Sequence, residues 1–227
     1  MKRSLLSTLL LFPALAALAG PAEPFNGKDL TNWEVRGKAD SKWTVGEPSM
    51  SKTNPATLDV KAGGNALVNV VAGHGQSHDL VSKETYGDIK LEVEVMVPKG
   101  SNSGIYLMGN YEVQVFDSFG VAKMRDMDMG AIYSASPPKV NASKAPGEWQ
   151  KYVIEFRAPK FDDKGQKTAN AKFVKVELNG TVIHENVEMK GVTGGALSNK
   201  EIATGPLMFQ GDHGAVAYRN IKVTPLK

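Results

Sequence analysis

The chain has 227 residues, a formal net charge of +3 at pH 7 and no cysteine. The missing cysteine excludes disulfides, thiol catalysis and Cys-ligated metals, so an exported form would hold together by burial alone. So small a net charge gives no broad electrostatic reason to seek nucleic acid or anionic lipid.

Residues 1–19 read as a secretory signal peptide. Lys2 and Arg3 form a short basic start, Leu5 to Leu18 is apolar apart from Ser7 and Thr8, and Ala17-Leu18-Ala19 offers a small-x-small cleavage site. The apolar run is too short, and too soon followed by polar sequence, for a good membrane span. No cysteine follows it to carry a lipid. The expectation is a periplasmic or secreted protein, with one domain over residues 20–227 and no stable membrane insertion once the leader is removed. Lys2 and Arg3 leave with the leader, bringing the remainder closer still to neutrality.

Past the leader no stretch has the three-turn periodicity of an amphipathic helix. Short alternating segments recur between clusters of Gly, Pro, Asn and Asp, which is the pattern of an all-β sandwich or jelly roll. Trp33 and Trp43 are expected to plug the core, given the area such rings bury. Residues 43–71 read as two or three strands, and Gly73-His74-Gly75-Gln76-Ser77-His78 as a loop. Its two histidines are of a metal-ligating type, but with no Cys or clustered acids nearby the structural reading is the simpler. Ile89 to Val97 is the clearest strand: Ile89, Leu91, Val93, Val95 and Val97 point one way, and Lys90, Glu92, Glu94 and Met96 the other.

Pro98 to Ser118 joins a glycine-rich turn to a strand carrying Glu112, Gln114 and Asp117. Alternation sends Glu112 and Gln114 to the same face about 7 Å apart, which suits either a site or a wet surface. Ser118 to Ser143 is a loop long enough to be functional, within which Gly130 to Tyr133 reads as a short strand returning Tyr133 to the sheet. Trp149 to Phe156 is another strand. Asp162-Asp163-Lys164-Gly165 is a turn, followed by too few alternate oxygens for a calcium loop. Val174 to His184 is a hairpin, because Asn179-Gly180 tolerates the positive φ angles of a type I′ turn.

Met189 to Thr204 is Gly-rich loop, and Pro206 to Gln210 opens the last pair of strands. Between them lies Gln210-Gly211-Asp212-His213-Gly214. In the strand that follows, Arg219 has the parity of Ala217, Ile221 and Val223, so a permanent charge points with the apolar set. Such a charge must be paired or must line a groove; Glu112 or Asp117 is the expected partner.

The layout Glu112-x-Gln114-x-x-Asp117 resembles the Glu-x-Asp-x-x-Glu active-site strand of jelly-roll β-glucanases. Here the middle residue is an amide, and 112 and 117 have opposite parity, so both face one groove only across a bulge. A retaining glycosidase needs its carboxyls about 5–5.5 Å apart, a spacing this strand permits poorly.

A broader resemblance covers nearly the whole chain beyond the leader. Phe25-Asn26-Gly27-Lys28-Asp29-Leu30 with Trp33, Asn102-Ser103-Gly104-Ile105-Tyr106, Tyr111-Glu112-Val113-Gln114 with Asp117, and Gly130-Ala131-Ile132-Tyr133 carry its first part. Gly147-Glu148-Trp149, Leu178-Asn179-Gly180, and Gly205-Pro206 through Gln210 with Asp212-His213-Gly214 and Arg219-Asn220-Ile221 carry the rest. Each motif is weak, but the seven in order resemble the 3-keto-disaccharide hydrolase family. That resemblance implies a two-sheet antiparallel β-sandwich of the concanavalin A-like jelly-roll type and a small carbohydrate substrate. Some members are assigned as 3-keto-glycoside 1,2-lyases or 3-keto-2-hydroxyglucal hydratases.

In the chemistry so implied, a ketone at C3 acidifies the hydrogen at C2, and the resulting enolate expels the glycosidic oxygen from C1. Water then adds to the enone. The path needs a base, an enolate stabiliser and an acid for the leaving group, and no pair of carboxyls flanking C1. The candidate catalytic residues are Glu112, Asp117, His213 and Arg219, with His213 or Glu112 as base and Arg219 as oxyanion stabiliser or as the group orienting Glu112. The candidate substrate-binding residues are Asn102, Tyr106, Gln114, Tyr133, Gln210 and Asp212. A divalent metal ion acting as Lewis acid is compatible with this chemistry; Asp117, Gln114 and Asn102 could help His213 hold one, although no spacing specifies a site. Structural alternatives stand beside these readings: Asp212-His213-Gly214 as a loop in which Asp caps backbone amides, and Arg219–Glu112 as a plain ion pair. The rival functions are a non-catalytic, lectin-like carbohydrate-binding domain on the same fold and a conventional glucanase.

Overall fold

A computed structural model describes residues 20–38, 40–71 and 73–227. The expected leader, residues 1–19, lies outside the described residues. Among those described, fourteen strands form: β1 (Trp33–Val35), β2 (Trp43–Met50), β3 (Leu58–Asn69), β4 (Leu80–Tyr86), β5 (Ile89–Met96), β6 (Asn102–Leu107), β7 (Tyr111–Phe116), β8 (Gln150–Arg157), β9 (Lys160–Phe161), β10 (Lys167–Ala169), β11 (Lys172–Leu178), β12 (Thr181–Glu188), β13 (Gly205–Phe209) and β14 (Val216–Pro225). They build a five-stranded sheet in the order β1-β4-β13-β6-β7 and a seven-stranded sheet in the order β12-β11-β8-β5-β14-β3-β2, with β9 and β10 as a separate hairpin. The pairings are antiparallel, and the result is the β-sandwich of jelly-roll type expected from the alternating pattern. No helix among the described residues is long and apolar enough to cross a membrane.

Local sequence explains several elements directly. In β5, Ile89, Leu91, Val93 and Val95 are buried as their parity requires. Asn179 and Gly180 take φ of 52° and 81°, so β11 and β12 meet across the two-residue turn that Asn-Gly favours. Asp162 accepts the amides of Lys164 and Gln166, which makes Asp162–Gly165 the turn between β9 and β10. Residues 43–71 form two strands, not three; the ladder shifts between Gly46 and Glu47, and β3 runs on through Gly63 and Gly64. A side chain at Gly64 would overlap the backbone of Gly46 and Glu47, so only glycine allows that crossing.

Both tryptophans sit in the core, as expected. Trp33 stacks on Phe209, Phe209 on Tyr218 with ring centroids 4.1 Å apart, and Tyr218 on Trp43, an aromatic column that joins the two sheets. Removing one such ring costs about 3–5 kcal/mol. Two core tyrosines of the seven-stranded sheet also brace the opposite one. Tyr218 Oη lies 2.8 Å from Ser103 Oγ, and Tyr152 Oη donates to the carbonyl of Gln114 at 2.9 Å. These two buried hydroxyls thereby fix β6 and β7, the two strands that carry the site.

Candidate functional site

On β6 and β7 the odd-numbered residues face the core, so Asn102, Gly104, Tyr106, Glu112 and Gln114 face outward from the five-stranded sheet. The ladder pairs Gly104 with Gln114 and Tyr106 with Glu112 without a shift. Loop and turn residues close over this face, leaving a cleft of about 140 Å³ lined by Asn102, Tyr106, Glu112, Gln114, Tyr133, Gly194, Gly195, Gln210 and His213. That is close to the volume of a cavity that holds a single six-membered ring.

Glu112 is 2% exposed. Its side chain lies across Gly104, where any β-carbon would overlap Oε1. Burial pushes its carboxyl up to about 8, while the neighbouring Tyr106 hydroxyl and the charge of His213 pull down and the charges of Asp79 and Asp212 push up. Gln114 donates Nε2 to the Met127 carbonyl at 3.1 Å. Its Oε1 is buried without a partner, and so is Oδ1 of Asn102. Two orphaned acceptors in one cleft are costly unless a ligand supplies donors.

His213 enters from the turn after β13. Its Nδ1 lies 2.5 Å from Asp212 Oδ1. That hydrogen bond raises the imidazole above its ordinary value and lowers the carboxylate. Asp212 thus directs its carboxylate chiefly at the ring of His213, where the structural alternative had it capping backbone amides. Tyr133 reaches the cleft because Ile132 bridges to Val113 and the Tyr133 amide donates to the Glu112 carbonyl at 3.2 Å. Gln210 Nε2 points at Tyr106 Oη, 3.5 Å away.

The structure therefore brings together Asn102, Tyr106, Glu112, Gln114, Tyr133, Gln210 and His213, with Asp212 behind the last. It does not bring in Arg219 or Asp117. Arg219 pairs with Glu94, Nε to Oε2 at 2.7 Å, and its guanidinium lies 3.9 Å from the centre of the Trp149 ring, on the outer face of the seven-stranded sheet. Parity failed because the β14–β5 ladder shifts between Arg219 and Lys222, where Asn220 sits at φ 51° as an extra residue. Arg219 therefore shares a face with Ala217, while Ile221 and Val223 turn to the core. Asp117, just past β7, spends Oδ2 on the Gly100 amide and Oδ1 on that of Phe119. No bulge carries it back to Glu112, so the glucanase pair of carboxylates is not formed on this strand.

Four residues escaped the sequence reading. Gly194 and Gly195 wall the cleft from within a loop read only as Gly-rich, and their adjacent pairing was the available signal. Arg36 holds that wall, donating to the carbonyls of Gly195 and Ala196 and to buried Asp79, each at 3.0 Å. Asp79 in turn accepts the Gly211 amide at 3.0 Å, so one ion pair ties the 194–196 loop to the His213 turn. Neither residue belongs to a motif, and nothing local marked them.

A family model described as the 3-keto-alpha-glucoside-1,2-lyase-like domain matches residues 20–224. The chain belongs to this family. A crystal structure named as that of a "putative glycosyl hydrolase" from Parabacteroides distasonis ATCC 8503 is 28% identical, with a TM-score of 0.71 over 92% of this chain and 84% of that one. Another of the same designation and organism, at 18% identity and TM-score 0.62, covers 92% and 94% and shows the fold alone. No curated protein matches. Membership of the 3-keto-alpha-glucoside-1,2-lyase-like family makes this a carbohydrate-active domain, and the cleft is its candidate sugar site. Arg36→Ala should accordingly loosen the wall: sugar affinity is expected to fall about tenfold or more, with the melt lowered by loss of about 1–3 kcal/mol from the unpaired Asp79. Calorimetric titration beside a denaturation curve checks both, and unchanged affinity would show that the wall needs no strut.

Proposed function

We propose that this chain is an enzyme that cleaves 3-keto-glycosides by elimination, with Glu112 moving the proton. The observation that carries the reading is a buried carboxyl, alone among the cleft-lining groups, beside two unpartnered amide oxygens in a space for one sugar ring. Displacement at C1 by a pair of carboxylates has no support on β7, whereas elimination asks for one base matched to the acidity of a C–H next to a ketone. A carboxylate with a pKa near 8 is a far stronger base than an exposed one, and it works close to neutral pH.

In this mechanism Glu112 takes the C2 proton, the C2–H electrons form the enolate, and the enolate expels the glycosidic oxygen from C1. The proton on Glu112 passes to that oxygen, and water adding across C1 and C2 of the enone completes a net hydrolysis. With Arg219 elsewhere, the charge on the C3 oxygen falls to His213, whose imidazolium Asp212 stabilises. Gln114 and Asn102 accept from ring hydroxyls. The reading includes export, on the strength of the leader-like residues 1–19.

The test is to incubate the protein with a 3-keto-glucoside and with the parent glucoside and to follow release of the aglycone. Turnover of the keto sugar alone is expected. Turnover of the parent alone would sink the proposal, and saturable binding without turnover of either would favour the lectin-like alternative.

A further inference from the structure

The loop carrying His74 packs against the His213 turn, and the contact is built from both sides. The Gly75 amide donates to the Asp212 carbonyl at 2.6 Å. Buried Asn69 donates to the carbonyls of Gly211 and Gly214 at 2.7 and 2.9 Å, so one side chain clamps both ends of the turn. The two imidazoles meet edge to face with centroids 4.3 Å apart. One ligand atom from each of His74, Asp212 and His213 lies within 4.8 Å of the others. His78, the other histidine of the loop, is held away by its carbonyl, which accepts Trp43 Nε1 at 2.8 Å.

We propose that His74, Asp212 and His213 form a binding site for a divalent transition-metal ion at the mouth of the cleft. Two imidazoles and one carboxylate are a donor set for zinc and its first-row neighbours, and three protein ligands leave a position open to substrate. With bonds of about 2.0–2.1 Å, tetrahedral ligands sit roughly 3.3 Å apart, so His74 must draw in by at most about 1.5 Å while the Asp212–His213 hydrogen bond, now 2.5 Å, gives way to the ion. Exposed His74 is free to make that movement, while Asn69 and the Gly75 amide keep the turn in place as outer-shell supports. Because His213 also lines the cleft, a cation held there would lie beside the sugar and would replace the His213 imidazolium of the proposed mechanism, His213 giving up its proton to ligate the ion and the ion drawing the C3 oxygen in its place. That role rests on the proposed function; the binding of the ion does not.

The experiment uses the full chain without a histidine tag, stripped with chelator and titrated calorimetrically with zinc and with manganese, with bound metal counted by mass spectrometry. One equivalent of ion is expected, with affinity lowered at least about tenfold in His74→Gln and in Asp212→Asn and unchanged in His78→Gln. Cobalt substitution should give visible absorption bands that His74→Gln loses. No bound ion, or equal affinity in His74→Gln, overturns the site, as does loss of affinity in His78→Gln alone. Stoichiometric, His74-dependent binding without turnover of the keto sugar would keep the site and remove the function. Turnover unaltered by chelation, with no ion bound, would do the reverse.

Discussion

Replacing Glu112 by Gln is expected to abolish cleavage of a 3-keto-glycoside, by about 10²–10⁴-fold, and at the same time to stabilise the metal-free protein at alkaline pH. Both effects follow from one burial. Desolvation raises the Glu112 carboxyl from its ordinary 4.5 to about 8, so the folded state holds that proton more tightly than the unfolded chain does. The stability this provides is complete below about pH 4.5 and is lost as pH rises through about 8. Each pKa unit corresponds to about 1.4 kcal/mol, so ionising Glu112 within the fold costs several kcal/mol. The amide variant never ionises and escapes that loss. Denaturant unfolding of both proteins at pH 5 and pH 9 should show the variant gaining on the wild type only at the higher pH. A parallel course would mean that Glu112 is not the buried group its place beneath the loops requires. Retained turnover would remove it from the mechanism.

The second large effect is expected from Gly104→Ala, a change of one methyl group. The new β-carbon would overlap Oε1 of Glu112, and the obstacle is the end of a side chain, not backbone, so the carboxylate moves and the sheet stays. A displacement of about 1 Å at a reacting group can cost 10²-fold. Turnover should therefore fall at least that far while the thermal midpoint shifts by only a few degrees. A crystal structure of the variant would show Glu112 displaced from β6. Full activity would mean that the position of Glu112 over Gly104 has no bearing on catalysis.

How far these residues were legible before the fold was known depends on how local their causes are. Glu112 and Gln114 were readable as a pair because they stand two apart on a strand, and a strand's alternation needs no partner to operate. The same holds for the buried face of β5 and for the Asn179-Gly180 turn. Asp117 was readable as a difficulty, since its parity opposed Glu112, but its use came from two loop amides that only the folded turn presents. Arg219 was misread because parity counts residues, and Asn220 adds one. The ladder absorbs it as a shift against β5, and the charge changes face.

The amino-acid sequence by itself determined the class of fold, the strand that carries the carboxylate and the family. Each of these depends on periodicity, turn chemistry or the order of short motifs along the chain. Only the tertiary structure decided which residues share the cleft. It discarded Arg219 and Asp117 and brought in Gly194, Gly195 and the Arg36–Asp79 strut, and it set His74 against His213. The contacts that assemble the cleft wall and the His213 turn join segments far apart in the chain, 88 residues for Tyr106 with Gly194, 132 for Asp79 with Gly211 and 142 for Asn69 with Gly211, and these are held by hydrogen bonds to backbone carbonyls and amides. Every residue has those groups, so no side-chain pattern marks in advance which of them will be used.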